Sequence, residues 1–198
     1  RHLPWFADPD IFHSPEVTSD DEGYFLCVGK TRRDYPTLLK ACAKVDSQFR
    51  IIAPKESAQG ITIPPNVQFV ETSQDPPDAA ISYPELRDWY AGAHAVLIPL
   101  MGDPSDTSGY TTLLEAMAMG KPILMTQSGC LDIDIEELGI GYTVPPGDDD
   151  AWIKAIRSLE QDAERAKAMG HQSRQVAQTQ FSPESFRDNL SRFLKHLK

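Results

Sequence analysis

Glu115 stands four residues after Thr111 and three after Thr112, inside the stretch SDTSGYTTLLEAMAMGKPIL at 105–124. On a helix these spacings put the three side chains on one face, with the carboxylate about one turn, or ~5.4 Å, beyond the hydroxyls. Ser108 or Gly109 can cap such a helix. The amides of Tyr110, Thr111 and Thr112 then point forward, where they can donate to an anion in the field of the helix dipole. The offset matches that between a nucleotide's diphosphate and its ribose, and a carboxylate suits a vicinal diol, which offers two donors. The apolar residues around Glu115 read as packing, so a charge among them needs a partner. Gly120 then ends the helix and Pro122 prevents its continuation.

A second group of residues also points to an anion. In GKTRRD (29–34), Lys30, Arg32 and Arg33 lie within four positions of Gly29, and a helix start follows at once. On the residues alone, a phosphate site and a solvated basic patch are both open readings.

The elements that must position these loops are short apolar runs alternating with helical patterns. YFLCVG (24–29), FRIIAP (49–54), VQFV (67–70), AVLIPL (95–100), PILMT (122–126) and the start of GYTVPPGD (141–148) read as strands. DYPTLLKACAKV (34–45) and SYPELRDWYAGA (82–93) read as helices, Asp34 being an N-cap. From Asp149 the pattern is helical nearly to the end, with a break near 180–186 where Ser182 precedes Pro183. The alternation predicts an α/β fold: a Rossmann-like parallel sheet with helices on both faces. Such sheets bind ligands at the carboxyl ends of their strands, which is where both loops fall.

Composition narrows the partners. With 29 acidic and 19 basic residues the net charge is −10, which disfavours nucleic acid and makes a local basic cluster more informative. Cys27, Cys42 and Cys130 are odd in number and far apart, consistent with reduced thiols and a cytoplasmic setting. No apolar run approaches the ~20 residues of a membrane span. The sequence does not begin with Met, and a piece of a longer protein is expected.

Together these residues resemble the donor-binding, C-terminal domain of GT-B glycosyltransferases, in the large family called glycosyl transferases group 1. CVGKTRRDYPTLLKA is similar to that family's opening strand and diphosphate loop, with Lys30 at its arginine position and Arg33 at its lysine position. NVQFVETS…YPELRDWYAGAHAVLIPL resembles the stretch that skirts the base, and PSDTSGYTTLLEAMAMGKPIL resembles the signature loop and helix. YTVPPGDDDAWIKAI is similar to its closing strand, turn and helix.

The resemblance implies a donor diphosphate held by Gly29, Lys30, Arg33, Thr111 and Thr112, and a ribose held by Glu115. It further implies a sugar facing Thr107, Ser108, Gly109 and Tyr110, with a base near Val70, Thr72 and Ser73. In domain terms it implies a linker at 1–20, a donor-binding domain at 21–180, and a final helix at 181–198 that braces an absent N-terminal domain. Phe186, Leu190, Phe193 and Leu194 share one face of that helix.

The implied activity is transfer of a sugar from a nucleotide-diphosphate sugar to an acceptor on the missing domain, with retention and without metal or other cofactor. The fragment alone is expected to be inactive. Membrane contact is expected only through the full-length protein. The alternative is a non-catalytic sugar-nucleotide-binding or scaffolding domain, supported by one departure: the first of the family's two signature glutamates falls on Thr107. Catalytic residues are therefore unassigned.

Other signals carry less. Asp132-Ile133-Asp134 reads as a turn rather than a metal motif, and the five histidines have no ligand spacing. No Gly-rich dinucleotide or Walker loop is present.

Overall fold

Apolar runs without polar alternation form strands covered on both faces. In the computed structural model, which describes residues 3–13, 23–72, 81–103, 105–127 and 133–195, they are β1 (Tyr24–Val28), β2 (Gln48–Pro54), β3 (Val67–Thr72), β4 (Ala93–Ile98), β5 (Ile123–Thr126) and β6 (Gly141–Val144). All pair in parallel, in the order β3-β2-β1-β4-β5-β6. The helices are α1 (Tyr35–Cys42), α2 (Tyr83–Gly92), α3 (Tyr110–Ala118), α4 (Asp149–Gln161), α5 (Ala163–Gln180) and α6 (Pro183–Lys195).

Successive β1 residues feed opposite cores, as the two-residue period of a strand requires. Phe25 and Cys27 pack with Leu38 and Leu39 of α1 and Trp152 of α4. Tyr24 and Leu26 pack with Tyr90 of α2, Leu113 and Met117 of α3 and Val176 of α5. Helices therefore cover both faces, and the expected Rossmann-like sheet is the observed one.

The local signals explain most boundaries. The Asp34 side chain accepts from the Thr37 amide at 3.2 Å at the head of α1. Asp148 accepts from the Ala151 amide at 2.8 Å at the head of α4. The Ser182 hydroxyl accepts from the Ser185 amide at 3.1 Å beside α6. The helical pattern after Asp149, expected to be unbroken as far as 180, is divided at Asp162. That residue ends α4 and caps α5, its carboxylate accepting from the Arg165 amide at 3.0 Å. An aspartate that bonds its own downstream backbone competes with helix propagation. A short 3-10 turn at Lys55–Ala58 also follows β2.

Residues 3–13 run along the body. The ring of Phe12 meets that of Tyr90 at 6.0 Å, and Trp5 and Phe6 pack on Phe186 of α6 at 5.2 and 5.5 Å. No described residue of α6 is buried, and Phe193 and Leu194 are 39% and 53% exposed. None of the described helices is long and apolar enough to cross a membrane.

The strand order reverses between β1 and β4, which opens a crevice at their carboxyl ends. The loops that follow these two strands are 29–34 and 99–109.

Candidate functional site

The two loops are stitched together. Arg33 bridges Leu100 in antiparallel fashion, and the Asp34 amide donates to the Pro99 carbonyl at 3.1 Å. The Arg33 guanidinium turns inward. Its Nη2 donates to the Thr112 hydroxyl at 3.1 Å and to the Val28 carbonyl at 3.3 Å, and its Nη1 to the Thr31 carbonyl at 3.1 Å. One cation thus spans from the first loop to the opening turn of α3.

Gly29 makes this possible. A Cβ there would lie 2.5 Å from Arg33 Nε and Nη2, and its φ of 152° is one that side chains rarely adopt. The Tyr35 hydroxyl donates to the Gly29 carbonyl at 2.6 Å and holds the turn from behind.

The other two cations behave differently. Lys30 is exposed. Arg32, in the left-handed region at φ 52°, pairs with Asp103 at 2.6 Å and with Asp106 at 3.0 Å, across to the second loop. Those aspartates also organise their own loop: Asp103 accepts from the Ser105 amide and hydroxyl at 2.9 and 2.7 Å, and Asp106 from the Ser108 amide at 2.9 Å. Hydrogen bonds from Ser105 and Ser108, ahead of the Arg32 charge, hold both carboxyls below their usual range.

Gly109, rather than Ser108, occupies the N-cap of α3. It sits at φ 88°, where a Cβ would come within 2.9 Å of Ile98 Cγ2, and it supplies no side-chain cap. The Tyr110 amide reaches the Thr107 carbonyl at 3.4 Å. An uncapped helix start leaves first-turn amides facing the crevice, where an anion can accept from them. Thr111 is exposed beside them, whereas Thr112 is buried and its hydroxyl is the one that holds Arg33.

Glu115, 8% exposed, lies one turn further along α3 and accepts from the Tyr90 hydroxyl at 2.8 Å. Burial pushes its carboxyl up to about 7, against the pull of the Tyr90 hydrogen bond. Burial, then the neighbouring Glu115, raises the Tyr90 phenol well above its ordinary value. A carboxylate here can accept from a diol while a guanidinium and helix amides one turn away hold an anion.

Of the remaining candidates, Thr107 is exposed, and Ser108 and Tyr110 are half-buried at the crevice edge. The Tyr110 hydroxyl accepts from the Trp5 amide at 3.4 Å. Val70 is half-buried and Thr72 buried at the end of β3, while Ser73 lies outside the described residues. Cys27 and Cys42 are buried thiols, and Cys130 and Asp132 lie outside the described residues. Asp134 accepts from the amides of Glu136 and Glu137 at 3.0 Å, as a turn residue does. Among the described residues no group of three or more His, Cys, Asp or Glu could hold a metal ion. A cavity of about 910 Å³ between α1 and residues 60–66, lined by Leu39, Val45, Ile61 and Pro64, contains none of the candidate residues.

Spacing alone missed three contributors: Tyr90, Asp103 and Asp106. A tyrosine in the last turn of an amphipathic helix resembles plain core, but its hydroxyl needs a partner once buried, and that was the available signal. The aspartates resemble ordinary turn residues.

The family model for glycosyl transferases group 1 matches residues 22–162, well over half of the chain. The chain belongs to this family. No curated protein matches it. Among solved structures, the sucrose-phosphate synthase of Thermosynechococcus elongatus aligns with 100% of this chain and 52% of its own, at 21% identity and a TM-score of 0.77. A glycosyltransferase from Rickettsia africae aligns with 99% of this chain and 57% of its own, at 15% identity and a TM-score of 0.76. Anabaena HepE, solved in complex with UDP, aligns with 96% and 56% at 13% identity and a TM-score of 0.73. At such identities the likeness is one of fold. This group 1 chain spans about half the length of these three solved chains, one half of a GT-B arrangement.

Proposed function

We propose that this chain is the donor-binding half of a glycosyltransferase, taking a nucleotide-diphosphate sugar and presenting it to an acceptor held by an N-terminal domain. The observation that carries the reading is the Arg33–Thr112 contact, which joins the basic loop to the start of α3 with Glu115 one turn deeper. That order of cation, helix amides and carboxylate follows the order of diphosphate and ribose in a nucleotide. The UDP complex of Anabaena HepE, a protein of the same fold, supports this class of ligand.

In this mechanism Lys30, Arg33 and the amides at Thr111 and Thr112 stabilise the charge that grows on the diphosphate as the glycosidic bond breaks. Thr112 acts through Arg33, and Glu115 takes the ribose hydroxyls. Thr107, Ser108 and Tyr110 face the sugar. Transfer proceeds with retention and without metal, in the cytoplasm, and needs the second domain.

Calorimetric titration with UDP, GDP and ADP tests the reading, repeated with Glu115→Ala and Lys30→Ala. Binding to one nucleotide that weakens in both variants supports it. No millimolar-or-better binding to any of the three sinks it. The neutral Thr107 favours a second reading, a domain that binds the nucleotide sugar without catalysis; hydrolysis or transfer restored by supplying the N-terminal domain rejects that alternative.

A further inference from the structure

Tyr90 comes from the last turn of α2, immediately before β4, and is completely buried. The edge contact with the Phe12 ring at 6.0 Å helps hold its own ring in place. A phenol has only two side-chain torsions, so once the ring is packed its hydroxyl is a fixed donor. That donor sits 2.8 Å from Glu115 Oε2.

We propose that Tyr90 is a positioning residue for the nucleotide site: by occupying one oxygen of Glu115, it orients the carboxylate so that the other oxygen meets the ribose 2′,3′-diol. This rests on the assignment of Glu115 to the ribose made above. The phenol has one proton to give, and it goes to Oε2. Oε1 keeps its acceptor capacity, and Oε2 keeps one further lone pair.

Without this bond a glutamate with three torsions, buried at the second turn of α3, has no fixed direction. It would also lose the contact that opposes its protonation, and a protonated carboxyl presents a donor to the diol where an acceptor is needed. Besides Glu115, the charged and titratable groups that act on Tyr90 are Arg33 from the loop after β1 and Cys27 from β1 itself. Both stay in place when the hydroxyl alone is removed. Tyr90→Phe therefore isolates the orienting contact.

The experiment compares UDP, GDP and ADP with their 2′,3′-dideoxy counterparts by calorimetry across the range around neutrality, in the wild-type chain and in Tyr90→Phe. The wild type is expected to prefer the ribose form by about tenfold or more, the worth of hydrogen bonds to a charged group. Tyr90→Phe is expected to lose most of that preference at neutral pH while binding the dideoxy form as before. The pH at which the preference is half developed should also move upward. An undiminished preference with an unmoved pH profile overturns the proposal, because Tyr90 would then only satisfy a buried acid.

A wild type that binds ribose and dideoxy forms equally overturns the ribose role of Glu115 and this proposal with it. A wild type that binds no nucleotide overturns the donor-site reading itself. Should Tyr90→Phe fail to fold, the hydroxyl proton of Tyr90 in the wild type serves by nuclear magnetic resonance. It should shift on adding the ribose form and not the dideoxy form, and equal shifts overturn the proposal.

Discussion

Around Glu115 and Arg33 the polar contacts are sheltered: Tyr90 reaches the carboxylate at 2.8 Å, and Thr112 and Val28 accept from the guanidinium at 3.1 and 3.3 Å. A few residues upstream, Arg32 spans to Asp103 and Asp106 with half of its side chain in solvent, and Thr107 is exposed. The first region uses side chains that the sheet and two helices already hold. The second is a loop fixed by ion pairs and turn bonds that salt and water weaken. In the proposed assignment the nucleotide end is thus set by the fold, and the sugar end is free to change without disturbing it. Substitutions at the two ends should accordingly separate effects on stability from effects on ligand choice.

The largest expected effect comes from the buried acid. Glu115 is raised from 4.5 to about 7, so the folded protein holds a proton there between these values that the unfolded chain releases. Its contribution to stability is therefore fully present below pH 4.5, falls as pH rises to 7, and stays level above; the total change is about 3 kcal/mol. Glu115→Gln should flatten that slope. Thermal unfolding of both proteins across the interval checks it, and an equally steep slope in the variant would assign the effect elsewhere.

Next in size is Gly29→Ala. The added methyl must displace the Arg33 guanidinium, whose nearest atoms stand 2.5 Å from where it would sit. The carbonyl of Val28 and the hydroxyl of Thr112 then lose the guanidinium, leaving Val28 only the long 3.5 Å bond from Thr112, and stability should fall by about 1–3 kcal/mol. Nucleotide binding should weaken in parallel. Denaturant unfolding and titration read both, and a variant that keeps full stability and affinity would show that Arg33 adapts at no cost.

The sheltered end was the more legible one in the sequence, for a physical reason. Apolar runs, caps and a carboxylate at i+3 and i+4 from two hydroxyls are local patterns, and local patterns determine strands, helix starts and helix faces. The sequence therefore places Thr111, Thr112 and Glu115 correctly along α3. It does not say which way neighbouring cations turn. Lys30, Arg32 and Arg33 look equivalent in a row, yet one is exposed, one is tied to aspartates some seventy residues away and one is drawn under Gly29. Those fates depend on the pairing of β1 with β4, a tertiary fact. The role of Tyr90 is hidden for the same reason, because its partner lies on a different helix.

Arg32→Ala probes the exposed end. Unfolding should move no more than for an ordinary surface substitution, since alanine keeps the same Cβ on the left-handed backbone and half of the Arg32 side chain is in solvent. Binding should change instead. With Asp103 and Asp106 no longer neutralised beside the crevice, a nucleotide sugar should bind several-fold more weakly, and the loss should shrink as salt is added. Replacing both aspartates by asparagine in the same variant should recover the affinity. No recovery would mean that Arg32 acts by shaping the loop rather than by balancing its charge.

Thr107→Glu should have the smallest effect on the fold and is the sharpest test of the comparison. It puts an acid where the resemblance drawn from the sequence expects the first of two glutamates. The residue is exposed, so stability should stay within about 0.5 kcal/mol. If the two ends are independent, affinity for UDP, GDP or ADP should fall no further than in Arg32→Ala and recover as salt is added, because an exposed carboxylate acts on the diphosphate only through a screened charge. Affinity for the corresponding nucleotide sugars should change, since a carboxylate offers sugar hydroxyls two charged acceptor oxygens where threonine offers one neutral oxygen. Titrating each nucleotide beside its glucose conjugate separates these outcomes. Equal weakening for both would place Thr107 against the diphosphate instead, and the division between a fold-determined nucleotide end and a replaceable sugar end would fail.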